Sequence, residues 1–589
     1  MKKALRTYRF YGDYYESEPM LYNCNVSAHQ RWMLEYRIKP CFWIELPPKI
    51  PHVNNMHADT ALMCNWPQGR RDPIHTRHLR FDKIKCIEND EVCPMKILCL
   101  DIETEPYENN KMERRKDSSI RPDVTFRGIG EDNILQVSLV WQMTTASTAE
   151  IFQCLLYVEP DLKRSNITTK EVNNIKARSI PVKYDETDFT PSKAVLIPCA
   201  SEESLLLTLE REILRINPDI ITGYNVTAFD LNVIWKRCEK FHVTPRWSRF
   251  RGYDCPLKIT KTSSKAHGAS ENYKFRIAGR TIMDMYDIMK KEHNLISYKL
   301  DVVAEKFLGT KKLDCKYEDI PRLQETVDGR IMMGAYCLKD SWLVIKLVTK
   351  LCKLSNVVEM ARVTGISMRD VLERGQMIRS LCSIYQYAKT HDPEYFLPEV
   401  ITKTRRVQTR RNVLIDTDHG VQLKVEIDEA TTAITKYKGA VVFPPTPGFY
   451  RDPVTCLDFA SLYPSIIRYR NLCYSTLVNW DTIRKLNLKE DVDYHRISYV
   501  DIDDKGELKV CQTEKDACFL THAQRPGILP QILASLLTAR KRAKKDMRNA
   551  KDSNAYNVCN GRQLALKLVC NSMYGFTGTW YGFLPCRAI

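Results

Sequence analysis

The sequence predicts a multidomain chain of mixed α/β and α+β class, and three observations carry that expectation. The chain has 589 residues, which at about 100 to 200 residues per domain corresponds to roughly three to five domains. From Met95 to about residue 350, apolar strand-like runs alternate with helical periodicity, the layering of an α/β domain. Beyond residue 525, "GILPQILASLLTARKRAKKDMRNAKD" and "GRQLALKLVCNSMYGF" read as two long amphipathic helices joined by a polar turn, a helical hairpin.

Composition narrows the function classes. A chain that is 44 % hydrophobic and 10 % aromatic can bury several cores, which excludes a disordered basic tail. Its net charge of +17 favours a polyanionic partner. None of its 21 cysteines falls in a C-x-x-C pair, which removes zinc-ribbon and thioredoxin signatures. With no signal-like N-terminus, these cysteines are expected to be reduced thiols of an intracellular protein. No apolar run approaches about 18 residues, so neither a membrane span nor a membrane partner is expected.

In chain order, residues 1–95 mix aromatics, Pro and short β-like runs such as "PCFWIELPP" and form an N-terminal domain. Residues 96–350 are one α/β domain, in which "NPDIITGYN" leads straight into the helix-like "FDLNVIWKRCEKF". Residues 351–430 return to helical periodicity and end in a linker with a basic patch, "KTRRVQTRR", whose alternative is a solvated loop. Residues 431–524 resume strands, with "YKGAVVFPPTPGFY" and "PVTCLDFASLYPSII" separated by Pro and Gly turns. The hairpin occupies 525–576, and 577–589 begin another segment.

Two constellations carry chemistry. "ILCLDIET" ends an apolar run with Asp101 and Glu103, and the period of two puts both carboxylates on one strand face. "GYNVTAFD" offers Asn225, Phe229 and Asp230 at a strand-to-helix junction, where Asp230 could equally cap the helix. "YCLKDSWLVIKLVTKL" sets Tyr336 and Asp340 at i and i+4 on one helix face. Taken together, Asp101, Glu103, Asp230 and Asp340 are the carboxylate set a two-metal site needs, with Tyr336 orienting the nucleophilic water. In the second constellation, "LDFASLYPSII" places Asp458 at a strand end before a helix start, so that backbone N–H groups near Ser461, Leu462 and Tyr463 can face a triphosphate. Arg540, Lys544, Arg548 and Lys551 fall at about 0, 40, 80 and 20° on the first hairpin helix, a cationic stripe whose outer members suit a solvated face. On the second helix Gln563, Lys567, Asn571 and Tyr574 share a face, opposite an expected apolar face at Leu564 and Leu568.

These motifs resemble family B DNA polymerases over roughly residues 95–589. The first constellation is similar to the three exonuclease motifs of the proofreading domain, which implies an RNase H-like 3′→5′ exonuclease with metal ligands Asp101, Glu103, Asp230 and Asp340. Gly279, Arg280, Asp284, Ser297, Tyr298 and Leu300 match the stretch joining its second and third motifs, with packing as the alternative role for Asp284. The second resembles motif A and the R-K-x-x-K-K and K-x-x-x-N-S-x-Y-G motifs, which implies the palm and helical fingers of a right-hand polymerase. By that resemblance Asp458 and Phe459 serve the metals, and Tyr463 excludes a 2′-hydroxyl. Arg540, Lys544, Lys567 and Asn571 hold the triphosphate, and Tyr574 packs near the new base pair. Asn225, Phe229, Tyr437, Gly439 and Gly575 are expected to contact DNA, the YKGA string (Tyr437–Ala440) as a linker that partitions DNA between the two sites.

The implied function is DNA-directed DNA synthesis with proofreading in DNA replication. Two Mg2+ per active site are implied, with Mn2+ as a substitute. The partners are primer-template DNA, dNTPs and a processivity factor or accessory subunit, and the place is the nucleus or a cytoplasmic viral replication site. The closest resemblance is to delta-type catalytic subunits and to the enzymes of herpesviruses and other large DNA viruses. The family's Y-G-D-T-D-S string does not occur, and "IDTDHG" (Asp416, Asp418) and "YGDYY" (Tyr11) do not stand where a palm could use them. A truncated chain without a thumb is therefore expected, with little polymerisation of its own. An exonuclease-only enzyme and a non-enzymatic DNA-binding protein are the alternatives.

Overall fold

In the computed structural model the described residues include most of 28–45, 84–109, 123–144, 150–159, 193–249, 255–313, 315–390, 446–497 and 517–578. The chain divides into two compact units, one of Lys49–Leu79 with Glu91–Leu354, the other of Met1–Pro48, Arg80–Asp90 and Ser355–Ile589. Among the described residues every cysteine is a free thiol, and no helix is long and apolar enough to cross a membrane. The basic patch at 403–411 and the expected DNA contacts Tyr437 and Gly439 lie outside the described residues.

The unit containing 91–354 is built on a six-stranded mixed sheet. Its strands are β1 (Lys96–Glu105), β2 (Asn133–Met143), β3 (Phe152–Val158), β4 (Val195–Cys199), β5 (Ile220–Gly223) and β6 (Thr281–Asp284). Their order is β4-β3-β2-β1-β5-β6, with β2 antiparallel to β1 and β3 and the remaining neighbours parallel. Ile97–Leu100 of β1 are buried on both faces, as expected of a central strand covered by helices. Helices α1 (Glu202–Ile216) and α2 (Asp230–Lys240) contribute Leu205, Leu209, Leu231 and Ile234 to the core with Leu98, Leu100, Leu139 and Leu156. Each such full burial is worth about 1.5–3 kcal/mol. Ser201 caps α1 by accepting from the Ser204 N–H, and Asn217 ends it in the left-handed region at φ 52°.

Helix α3 (Met285–Glu292) follows β6, and α4 (Val327–Lys350) packs on the sheet. Alternate polar residues of β2 set its register. Gln136 Nε2 donates to the Arg330 carbonyl (2.8 Å), Ser138 Oγ to the Cys337 carbonyl (3.0 Å), and Gln142 Nε2 to Thr349 Oγ1 (2.7 Å). Close approach is possible because residue 334 is glycine. A Cβ there would lie 2.2 Å from the Leu155 side chain of β3.

The other unit holds α5 (Lys353–Thr364), α6 (Gln376–Thr390), α7 (Leu462–Tyr469), α8 (Ile528–Arg548) and α9 (Ser553–Gly578), with strands β7 (Leu477–Val478), β8 (Tyr494–Ile497) and β9 (Ala517–Leu520) ordered β7-β9-β8. Helices α8 and α9 pair as the expected hairpin. Two expectations need correction. The face of α9 that packs is Ala565, Leu566, Val569, Cys570, Met573 and Phe576, whereas Leu564 and Leu568 stay exposed. The small side chains at 565 and 570 let α9 pack closely there, which turns the two leucines outward beside the polar stripe. Asp458 does not end a strand either: residues 451–460 have no strand partner, and Val454, Leu457 and Phe459 are 77, 91 and 77 % exposed. Strand geometry needs a paired neighbour, and none of the described residues supplies one.

Candidate active site

On β1, burial alternates from residue 101, so Asp101 and Glu103 are half-buried on one face with Ile102 buried behind them. The β1/β2 register shifts between Glu103 and Thr104, a bulge that offsets the pairing by one residue just past the second acid. Asp230 stands in the first turn of α2, but it does not cap it. The cap position is Phe229, with no side-chain bond, and Asp230 Oδ1 instead accepts from the Ile102 N–H (3.1 Å), between the two β1 acids. The preceding loop is pinned by Asp284 at the end of β6. Its Oδ1 accepts from the N–H groups of Asn225 (2.9 Å) and Tyr286 (3.1 Å), and its Oδ2 from Thr227 N–H (3.0 Å) and Oγ1 (2.5 Å). Asp284 thus positions the turn that carries Asn225, itself at φ 63°.

Helix α4 brings Tyr336 and Asp340 to the same place. The Cys337 thiol between them donates to the Asp101 carbonyl and to Asp101 Oδ2 (both 3.6 Å). Its sulfur and the carboxylate oxygens of Asp101 and Glu103 lie within 4.8 Å of one another. Lys312 closes the group. Its Nζ pairs with Asp340 Oδ2, donates to the Tyr336 hydroxyl (2.8 Å) and lies 4.8 Å from that ring's centroid.

Electrostatics mark these acids as strained in the metal-free state. Burial first, and neighbouring carboxylates second, push Asp101 and Glu103 above the usual carboxylate range, and burial with the Asp101 charge does the same for Asp230. Burial also raises Asp340, against the pull of Lys312. Burial would lower Lys312, but Asp340 and Tyr336 outweigh it and hold the ammonium protonated. Among the described residues Lys312 is the cation that pairs with this acid group, and Lys339 adds a further opposing charge at Asp340. Asp340 Oδ1 is moreover buried and has no hydrogen-bond partner among the described residues. An oxygen donor set with uncompensated charge and an orphaned oxygen fits hard divalent cations.

The second group lies on α7, α8 and α9. Ser461 adopts the left-handed region (φ 59°) at the start of α7, and Tyr463 two residues on stacks on Tyr574 of α9, centroids 4.6 Å apart and planes 6° apart. Lys544, Lys567 and Asn571 are exposed, while Arg540 is half-buried with its Nε lacking a hydrogen-bond partner among the described residues. Arg540 stands close enough to Cys570 to oppose the burial that pushes this thiol to about 11. The structure therefore brings Tyr463 and Tyr574 together, and leaves Asp458 exposed.

Comparison with known proteins decides the relationship. The model of DNA polymerase family B matches residues 366–589, and that of DNA polymerase family B, exonuclease domain, matches residues 20–303. The chain belongs to DNA polymerase family B. It is 36 % identical over 392 residues to the DNA polymerase delta catalytic subunit of Schizosaccharomyces pombe, covering 66 % of this chain and 32 % of that protein. To the delta catalytic subunit of Dictyostelium discoideum it is 30 % identical over 577 residues, covering 96 % and 42 %. The solved family B DNA polymerase from the hyperthermophilic archaeon Pyrobaculum calidifontis has the same fold at a TM-score of 0.57 and 18 % identity, over 96 % of this chain and 55 % of that one. The chain thus spans about a third to a half of the length of these relatives.

Within this family B chain, two residues at the first site, Lys312 and Cys337, carried no clear signal in the sequence. Lys312 sits in "GTKKLD", a surface-like string with no periodicity, and only the fold returns it to α4. Cys337 could have been found by its place next to Tyr336. Asp284 was legible as part of "GRTIMD" but open between packing and function; three of its hydrogen bonds hold the 225–227 loop and the fourth caps α3.

Proposed function

We propose that the chain serves DNA-directed DNA synthesis with 3′→5′ exonuclease proofreading in DNA replication, and that its first site hydrolyses the 3′-terminal phosphodiester of DNA. The observation that carries the reading is the convergence of Asp101, Glu103, Asp230 and Asp340, with Lys312 paired to Asp340 and one Asp340 oxygen without a hydrogen-bond partner among the described residues. These four acids would hold two Mg2+, with Mn2+ as a substitute. When bound, such cations neutralise charge on the attacking and leaving oxygens of an in-line displacement. The Tyr336 oxygen accepts from Lys312, so its own proton remains free to orient the attacking water or a phosphate oxygen. Lys312 holds Asp340 and Tyr336 in one geometry. Asn225 and Phe229, on the loop that Asp284 pins, would contact the substrate strand.

For the second site the proposal assigns the triphosphate to Arg540, Lys544, Lys567, Asn571 and the backbone at Ser461–Tyr463, the base pair to Tyr574 and Gly575, and a metal to Asp458 and Phe459. Primer-template DNA and dNTPs are its substrates, with a processivity factor or accessory subunit as partner, in the nucleus or a cytoplasmic replication site. One observation favours a second reading, exonuclease activity without synthesis by residues 1–589: the first site is assembled, whereas Asp458 is exposed on an unpaired segment. Purified 1–589 with a 3′-labelled single strand and Mg2+ tests the first site. Shortening is expected, and equal digestion by Asp101→Ala/Glu103→Ala overturns the assignment. Primer extension with dNTPs separates the two readings, since Asp458-dependent synthesis excludes the second.

A further inference from the structure

Helix α9 carries the stripe assigned above to nucleotide binding, and its other side is held by a buried acid. Glu359 of α5 has 0 % exposure and accepts from two arginines. Its Oε1 takes Arg362 Nη1 (2.8 Å) and its Oε2 takes Arg562 Nε of α9 (2.6 Å). Arg362 in turn donates from Nε to the Cys41 carbonyl (3.0 Å) and lies over the Phe42 ring (5.1 Å). One turn back along α5, Asn356 stands against Gly561 of α9. A Cβ on Gly561 would come 2.4 Å from Asn356 Oδ1 and 3.5 Å from its Cα, so a side chain at 561 would push the Asn356 amide aside.

At about 100° per residue, Lys567, Asn571 and Tyr574 lie about 140, 180 and 120° round the helix from Arg562. The contact with α5 therefore grips the side away from the stripe. We infer that Glu359 is a positioning residue for nucleotide binding: through Arg562 and the Gly561 contact it fixes the rotation and height of α9, and hence where Lys567, Asn571 and Tyr574 stand. Glu359 touches no nucleotide itself. Such a lock has leverage because a buried acid with two arginines cannot lose one member cheaply. Removing the acid leaves two cations facing each other in a dry site, and small displacements of positioning groups cost binding and rate steeply. No group of the stripe is altered, so the effect is transmitted only through the helix.

The inference rests on the nucleotide reading of the stripe, and the experiment separates the two. The affinity of purified 1–589 for a Mg2+-loaded fluorescent dNTP is measured for wild type, Lys567→Ala, Glu359→Gln, Arg562→Gln and the double variant Glu359→Gln/Arg562→Gln. Exonuclease rate on a 3′-labelled single strand reports folding of the other unit, and hydrogen exchange reports α9 directly. Glu359→Gln is expected to weaken nucleotide binding about tenfold or more at an unchanged exonuclease rate. The double variant is expected to be no worse than the weaker single, because the two side chains act as one unit. Wild-type affinity in Glu359→Gln, or additive losses in the double variant, overturns the inference. If Lys567→Ala binds nucleotide normally, the reading of the stripe fails instead. The positioning role then stands or falls on exchange, which must speed up at 562–574 in Glu359→Gln.

Discussion

The two carboxylate sites of this chain differ in what surrounds the acids. Asp101, Glu103, Asp230 and Asp340 come from one strand and two helices; a thiol holds Asp101, a backbone N–H holds Asp230 and a lysine holds Asp340, while Glu103 stands on the same strand face as Asp101. Asp458 lies on an exposed segment without a strand partner, although the helices that would accompany it are packed and its neighbour Tyr463 is stacked on Tyr574. A carboxylate cluster is costly to assemble, because burial and mutual repulsion both oppose it. The first group is affordable only on a sheet whose register is locked elsewhere; in the second, the basic residues of α8 and α9 stand on packed helices while the acid does not.

The sharpest way to break this comparison is to remove acids from each site and read one activity. Asp101→Ala/Glu103→Ala should lower Mg2+-dependent hydrolysis of a 3′-labelled single strand by at least about 100-fold, since metal charge stabilisation is worth several kcal/mol. Asp458→Ala should leave the same rate within about twofold. A loss of hydrolysis in Asp458→Ala comparable to the first would show that the sites are not separable.

A smaller effect tests how α4 is held. Ser138 and Gln136 lie one pleat apart on β2 and fix the carbonyls of Cys337 and Arg330. Gln136→Leu/Ser138→Ala removes both bonds and leaves all four acids intact. It should cost stability of about 1–3 kcal/mol for the two lost hydrogen bonds, read as a lower Tm. Hydrolysis should fall about tenfold, with the loss larger at low Mg2+ than at saturating Mg2+. A loss independent of Mg2+ would place the ladder outside metal positioning.

How much of this was legible in the sequence follows the same contrast. Period-two and i, i+4 spacing put Asp101 with Glu103 and Tyr336 with Asp340, and the strand-to-helix junction at Asp230 was visible, because these are local patterns. The α8/α9 hairpin was legible for the same reason. What the spacing could not supply was the far side of each contact. Lys312, 24 residues from Tyr336, meets it only through tertiary packing. The buried face of α9 was placed on the wrong leucines because hydrophobicity alone cannot tell a packed flank from an exposed one when small residues carry the close approach. The strand at Asp458 was misjudged because an apolar run predicts burial, and burial needs a partner.

The smallest effect is also the most diagnostic of a site built for cations. In the metal-free protein the folded state carries Asp101 in a crowded, desolvated group, and its carboxyl is held above the ordinary range by burial and then by Asp340. The unfolded chain ionises the same group in water at no cost. For an acid raised in the folded state, stability is therefore lost as pH climbs above the usual carboxylate value of about 4. Asp101→Asn removes that loss without removing volume. At neutral pH with chelator, the variant should be more stable than wild type by about 1 kcal/mol, a rise of about 2–4 °C in Tm. Adding Mg2+ should reverse the order, because a ligand that binds only the folded state stabilises it in proportion to affinity, and the amide binds a hard cation poorly. A variant that is less stable than wild type under both conditions would mean that Asp101 supports the fold, not a bound cation.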